Sequence, residues 1–260
     1  MISDKKQNLK YKIRDNCLTL GSWITLYHPG IAEIMAKSGF DWLAVDLEHS
    51  VITIKEAEEL IRVISMVGIS PLVRLTSNDP NQIKRVMDAG SHGVIVPMVN
   101  TPEDAIKAVS AVHYPPDGVR GVGLARAQGY GSSLNSYMKW LKEESIIIVQ
   151  IENIDSIDNL EEIFSVKHID GYIIGPYDLS ASMGIPGQFD NPKFIDVINK
   201  IKLTAEKSKK CGGIHIIEPK PEELKIRINE GYRFIAYSLD IRMLDASCKE
   251  GNELVKGLVK

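Results

Sequence analysis

Eight short apolar runs alternate with amphipathic stretches along this chain, and that alternation limits the possible fold more than any other feature. The runs lie at 18–26, 42–48, 71–75, 93–99, 146–152, 171–176, 213–217 and 233–239. They are rich in Ile and Val, and several are apolar almost throughout, as parallel strands covered on both faces are. Helical periodicity fills the segments between them, at 31–38, 53–67, 81–89, 102–112, 154–164, 192–210 and 221–229. Gly39, Gly68, Gly90 and Gly231 each close a helical pattern, where a left-handed residue is wanted. Thr101-Pro102 and Asn191-Pro192 place a capping residue before a proline at the first helical position. Eight alternations in 260 residues predict a (β/α)8 TIM barrel. An open doubly wound sheet is the rival, but no GxGxxG turn follows the first strand. No repeat or linker divides the chain, so one barrel domain over 1–260 is expected, with 1–15 a polar N-terminal extension.

Bulk properties remove several functional classes. A net charge of −3 gives no electrostatic footprint for nucleic acid or an anionic membrane. Cys17, Cys211 and Cys248 are far apart and form neither a CxxC pair nor a zinc spacing, which suits a reducing cytoplasm. No apolar run approaches the roughly 20 residues that span a bilayer. The first residues, Met1-Ile-Ser-Asp-Lys-Lys, have no apolar h-region, so no secretion signal is expected. A cytoplasmic globular protein is the expectation.

Three of the runs end in carboxylates, which are costly at the rim of a core without a metal, a proton transfer or a capping role. They give Asp46 and Glu48, Gln150 and Glu152, and Asp178 in the turn after the sixth run. Side chains alternate along a strand, so Asp46 and Glu48 share one side, as do Gln150 and Glu152. Glu152 and Asp178, on adjacent strands, suit Mg2+ or Mn2+ completed by water and a substrate oxygen. Alone, Asp178 reads equally as the N-cap of the residues that follow. His49, directly after an acidic strand end, is a candidate base. Arg74 closes Pro-Leu-Val-Arg, where a guanidinium holds an enolate or carboxylate oxygen, or a rim ion pair to Glu48. Met98 and Trp42 read as core. The connection 113–144 is too long for a simple return, and it reads as a lid or binding loop on the catalytic face, with Arg120 a structural or lid contact.

None of the eight runs carries a lysine, so no Schiff base is placed inside the barrel, and a carbanion beside a carbonyl would need a metal as electron sink. Glycine-rich phosphate loops are missing after strands seven and eight, so a phosphate handle on the substrate is not expected.

The strings Phe40-Asp-Trp-Leu-Ala-Val-Asp46-Leu-Glu48-His49, Pro71-Leu-Val-Arg74, Val96-Pro-Met-Val, Tyr114-Pro-Pro, Arg120-Gly-Val-Gly, Gln150-Ile-Glu152 and Gly175-Pro-Tyr-Asp178-Leu-Ser resemble the HpcH/HpaI aldolase family. The similarity covers residues from about 16 to 245 and points to the 4-hydroxy-2-oxoheptanedioate and 2-dehydro-3-deoxyglucarate aldolase branch. It implies a barrel of the phosphoenolpyruvate/pyruvate type acting as a metal-dependent class II aldolase on pyruvate and a small aldehyde. By family pattern Glu152 and Asp178 bind the divalent metal (Mg2+, Mn2+ or Co2+), and pyruvate chelates it. His49 acts as base through a water, with Asp46 and Glu48 in support. Arg74 stabilises the enolate oxygen, Gln150 contacts the pyruvate end, and the backbone at Gly175, Pro176, Tyr177 and Asp178 holds the carboxylate. Asp88 matches an acidic position contributed near a neighbouring site. The resemblance also implies homo-oligomers, dimers that exchange the eighth helix and assemble into hexamers. Tyr177 departs from the family, which usually has a small residue there. His215 and Glu218, read on strand seven, also stand where apolar or small residues are usual, so His215 is expected to shape the aldehyde subsite. The rival activities are a CoA-thioester lyase of the citrate-lyase-beta type and a non-catalytic barrel subunit.

Overall fold

Strands that are apolar on both faces need cover on both sides, and a closed ring wrapped in helices supplies it. The computed structural model describes residues 8–258 and contains such a ring, with eight parallel strands paired in sequence order and the eighth closing on the first. The chain runs through α1 (Leu9–Arg14), β1 (Thr19–Ile24), α2 (Pro29–Lys37), β2 (Trp42–Asp46), α3 (Ile54–Val67), β3 (Ser70–Arg74), α4 (Pro80–Asp88), β4 (Gly93–Val96) and α5 (Pro102–Val112). It continues through α6 (Leu134–Glu144), β5 (Ile146–Ile151), α7 (Leu160–Ser165), β6 (Gly171–Ile174), α8 (Pro176–Ser182), α9 (Pro192–Lys207), β7 (Cys211–Ile216), α10 (Pro221–Asn229), β8 (Phe234–Leu239) and α11 (Asp240–Leu258). Every predicted strand is present, and none of the eight carries a lysine.

The helix boundaries follow their caps. Thr101 and Asp104 form a reciprocal capping box at the start of α5, and Asn191 caps α9 ahead of Pro192. Gly68 ends α3 at φ 98°, a left-handed conformation that costs glycine nothing. The segment 154–164, read as one helix, is a 3-10 turn at Ile154–Ser156 and then α7.

Two expectations are corrected. The N-terminal segment is not merely a polar extension, because its described part contains α1, which buries Leu9 and Ile13 among Trp42, Ile146, Cys211 and Phe234 inside the barrel. Lys10 pairs with Asp170 at 2.5 Å and Lys12 with Asp41 at 2.6 Å. Both acids stand just ahead of strands, so α1 stoppers the N-terminal end. The long connection 113–144 lies at that same end, not on the catalytic face, because α5 has already carried the chain back before it begins. It holds a 3-10 turn at Arg126–Gly131 and then α6. Arg120 is its structural pin, with no exposed side chain, 2.6 Å from Asp88 and 3.1 Å from the Tyr137 hydroxyl.

Inside the ring Trp42 stacks on Phe234, with centroids 4.2 Å apart, and meets Trp23 edge-on. Gly21 makes this possible, since a Cβ there would sit 2.0 Å from the Trp42 indole. Ile13 is 1% exposed. Ile13→Ala is expected to cost about 2–5 kcal/mol in urea unfolding, the range for truncating a packed aliphatic side chain; a surface-like loss under 0.5 kcal/mol would mean α1 does not seal the barrel.

Candidate active site

Register places opposite charges side by side at the open end. Asp46 and Arg74, the last residues of β2 and β3, are partners across the ladder. Arg74 donates from Nε and Nη2 to the two Asp46 oxygens at 2.9 and 2.6 Å. Oδ1 of Asp46 also accepts the backbone amides of Glu48 and His49 at 2.9 and 3.2 Å, which folds the following loop onto the strand end. The guanidinium carbon lies 4.3 Å from the centre of the Trp23 ring, and Nη1 is 3.4 Å from Glu48 Oε2. A guanidinium held at one edge by a carboxylate and on its face by an indole keeps one orientation.

Gln150 on β5 and Glu152 just beyond its end are both buried and share one side. Gln150 Nε2 donates to Glu152 Oε2 at 2.6 Å and reaches Glu48 Oε2 at 3.4 Å. The amide of Met98 donates to Glu152 Oε1 at 2.7 Å. Burial pushes the Glu152 carboxyl up to about 7, against the Met98 hydrogen bond, and the charges of Glu48 and Asp178 add to the rise. Burial likewise raises Glu48, opposed by Arg74.

Asp178 is the third residue of α8, whose N-cap is Gly175, so its carboxylate is not used as the cap. A Cβ on Gly175 would lie 2.9 Å from Glu152 Oε2 and 3.6 Å from Asp178 Oδ2. The glycine therefore leaves a cradle walled by one oxygen of each acid. Two carboxylate oxygens facing one small space fit a hard divalent cation. Among the described residues no group of three or more His, Cys, Asp or Glu forms a cage. A cation here would complete its shell with water and substrate oxygens.

These groups line one cavity of about 450 Å3 that includes Asp46, His49, Arg74, Gln150, Glu152 and Asp178. His49 is 64% exposed, with Nε2 3.9 Å from Glu48 Oε2. The support expected from Asp46 does not reach its ring, because that carboxylate is taken by Arg74 and by loop amides, and Glu48 is the acid nearest the imidazole. Pro176 and Tyr177 line the wall beside the cradle, and Tyr177 meets Phe189 edge-on at 5.0 Å. His215 on β7 lines the cavity edge-on to Trp23, and burial lowers its pKa to about 4. Glu218 lies past the end of β7 rather than on it and pairs with Arg242 at 2.8 Å.

The structure leaves one predicted residue outside this assembly. Asp88 ends α4 at the stoppered end, bound to Arg120, and does not line the cavity of its own chain. Trp23, the Met98 amide, and Thr25 and Arg242 at the rim were missed. Trp23 and Arg242 carry no local signal, since one lies in an apolar run and the other in an amphipathic helix. Met98, expected in the core, is a 47% exposed residue.

A family model described as HpcH/HpaI aldolase/citrate lyase matches residues 19–245. The chain belongs to that family. Within the HpcH/HpaI family it is 37% identical to a hydroxypyruvate/pyruvate aldolase of Sagittula stellata over 240 residues, 92% of this chain and 94% of that one. It is 36% identical to a 4-hydroxy-2-oxo-heptane-1,7-dioate aldolase of Escherichia coli over 228 residues, 86% of each. A crystal structure of an HpcH/HpaI aldolase/citrate lyase family protein from Burkholderia cenocepacia superposes with a TM-score of 0.90 at 28% identity, covering 95% of this chain and 98% of that one.

The raised Glu152 carboxyl has a consequence for stability. Protonated Glu152 favours the fold at acid pH, and that contribution is lost as pH climbs from the ordinary value of 4.5 through about 7. In chelator at pH 8, Glu152→Gln should therefore be more stable than the native chain by about 1–3 kcal/mol. The difference should close at pH 4, as read by urea unfolding at both values.

Proposed function

We propose that this chain is a metal-dependent class II aldolase that interconverts 4-hydroxy-2-oxo acids with pyruvate and a small aldehyde. The observation that carries the metal reading is a surplus of carboxylate at one cradle. Glu152 and Asp178 each turn an oxygen to it, while the Arg74 guanidinium is already taken by Asp46 and Glu48. The curated relatives named as aldolases on pyruvate and on a 4-hydroxy-2-oxo dioate support the reaction class, a carbon–carbon lyase.

Glu152 and Asp178 would hold a divalent cation, Mg2+ or Mn2+. When bound, such an ion supplies Lewis-acid polarisation of a 2-oxo group. The remaining steps fall to the chain's own groups. Arg74, fixed by Asp46 and Trp23, balances negative charge that develops on the keto oxygen as C3 loses its proton. His49, open to solvent beside Glu48, moves that proton through water, and in cleavage it takes the proton from the 4-hydroxyl. Gln150 holds Glu152 and Glu48 in register and borders the oxo-acid end. The amides of Tyr177 and Asp178, in the first turn of α8, receive the substrate carboxylate. His215 and Tyr177 bound the aldehyde side.

The CoA-thioester reading needs an open basic groove, whereas the rim cation Arg242 is paired with both Glu218 and Asp245. The assembly is a homo-oligomer, a hexamer of helix-exchanged dimers. The reading is supported by α11, nineteen residues long with only Asp240 buried and with Leu244, Leu254 and Leu258 exposed. No helix among the described residues is long and apolar enough to cross a membrane, and a cytoplasmic location is part of this proposal.

With Mn2+ or Mg2+ present, the native chain should release pyruvate from at least one of a panel of 4-hydroxy-2-oxo acids. Glu152→Gln and Asp178→Asn should abolish that release. His49→Ala should slow deuterium exchange at C3 of pyruvate by about 10²–10⁴-fold, the usual contribution of a proton-transfer group, while Mn2+ remains bound. Exchange at the native rate in His49→Ala would remove His49 from the mechanism.

A further inference from the structure

The backbone at Met98 is unusual for its residue type. Its φ is 52°, in the left-handed region that side chains with a Cβ seldom enter. Packing of the side chain does not explain this, because the residue is half-exposed. The explanation lies in what the turn does to the amide. The ladder between β4 and β5 ends at Val96 opposite Val149. Two residues later the left-handed turn takes the Met98 N–H out of the ladder and directs it at the carboxylate of Glu152, 2.7 Å away. The segment is pinned on its far side, where the Asn100 amide donates to Asp104 Oδ2 at 3.1 Å and the Asn100 carbonyl accepts from Asn159 at 2.9 Å. Strain at a functional site persists where its surroundings impose it.

The two oxygens of Glu152 are thereby made unequal. Oε1 is tied to the backbone, and Oε2, which accepts from the Gln150 side chain at 2.6 Å, is the one facing the cradle beside Gly175. We propose that Met98 is a positioning residue: its left-handed backbone fixes the rotation of the Glu152 carboxylate and so decides which oxygen is offered to a divalent cation. This rests on the metal reading above, and the role belongs to the backbone conformation, not to the thioether.

Isomeric side chains separate these possibilities. Leucine and isoleucine have the same atoms, but branching at Cβ makes the left-handed region far more costly for isoleucine. Mn2+ titration of the full-length chain, followed through the electron paramagnetic resonance signal of free Mn2+, gives affinity without turnover. Met98→Leu and Met98→Gly should bind Mn2+ within about threefold of the native chain, glycine because it adopts positive φ freely. Met98→Ile should weaken binding about 10–100-fold, the range for losing a group that orients a metal ligand. Equal affinity in the leucine and isoleucine variants would overturn the proposal. So would weakened binding in Met98→Gly, which also decides the matter if the isoleucine variant does not fold. Failure of the native chain itself to bind Mn2+ would instead strike at the metal reading.

Discussion

The ion pair between Asp46 and Arg74 is the tie on which the open end of the barrel depends. It crosses the β2–β3 ladder at its last register position, gathers the amides of Glu48 and His49, and lays a guanidinium on Trp23. A buried pair of this kind is weak evidence for added stability, because desolvating two charges cancels much of their attraction. Its effect is orientation. Removing Arg74 would leave the buried Asp46 without its ion-pair partner, and removing Asp46 would leave the guanidinium to Glu48 alone and cost the loop carrying the histidine its anchor.

That tie also sets the charge balance of the cavity. The guanidinium is shared by Asp46 and Glu48 and does not reach Glu152, whose carboxyl is pushed up chiefly by burial, with the charges of Glu48 and Asp178 adding to the rise. A dication bound as proposed would offset that cost. A buried glutamate beside a glycine-lined void is poorly explained as a means of stabilising an empty fold.

Much of this was legible in the amino-acid sequence because the signals are local. The (β/α)8 ring follows from apolar runs and their caps, and Glu152 and Asp178 were visible as acids at the ends of such runs. What was not legible depends on contacts between distant segments. The burial of Leu9 and Ile13 cannot be read from a short polar stretch, and it becomes clear only when the barrel has an open end to fill. The connection 113–144 belongs to the N-terminal end because α5 intervenes between it and β4, which the length of the connection does not reveal. The family pattern sets Asp46 in support of His49, while the ladder brings its carboxylate to Arg74. Met98 looked like core because strand periodicity does not report a left-handed turn.

With α1 and the packed side chains of the ring filling the other end, the cavity opens at the C-terminal face. Whatever rests against Glu152 must enter and depart past the side chains around the brim, among them Tyr177 and Arg242. A molecule held among those rim side chains would therefore lie over anything seated against Glu152.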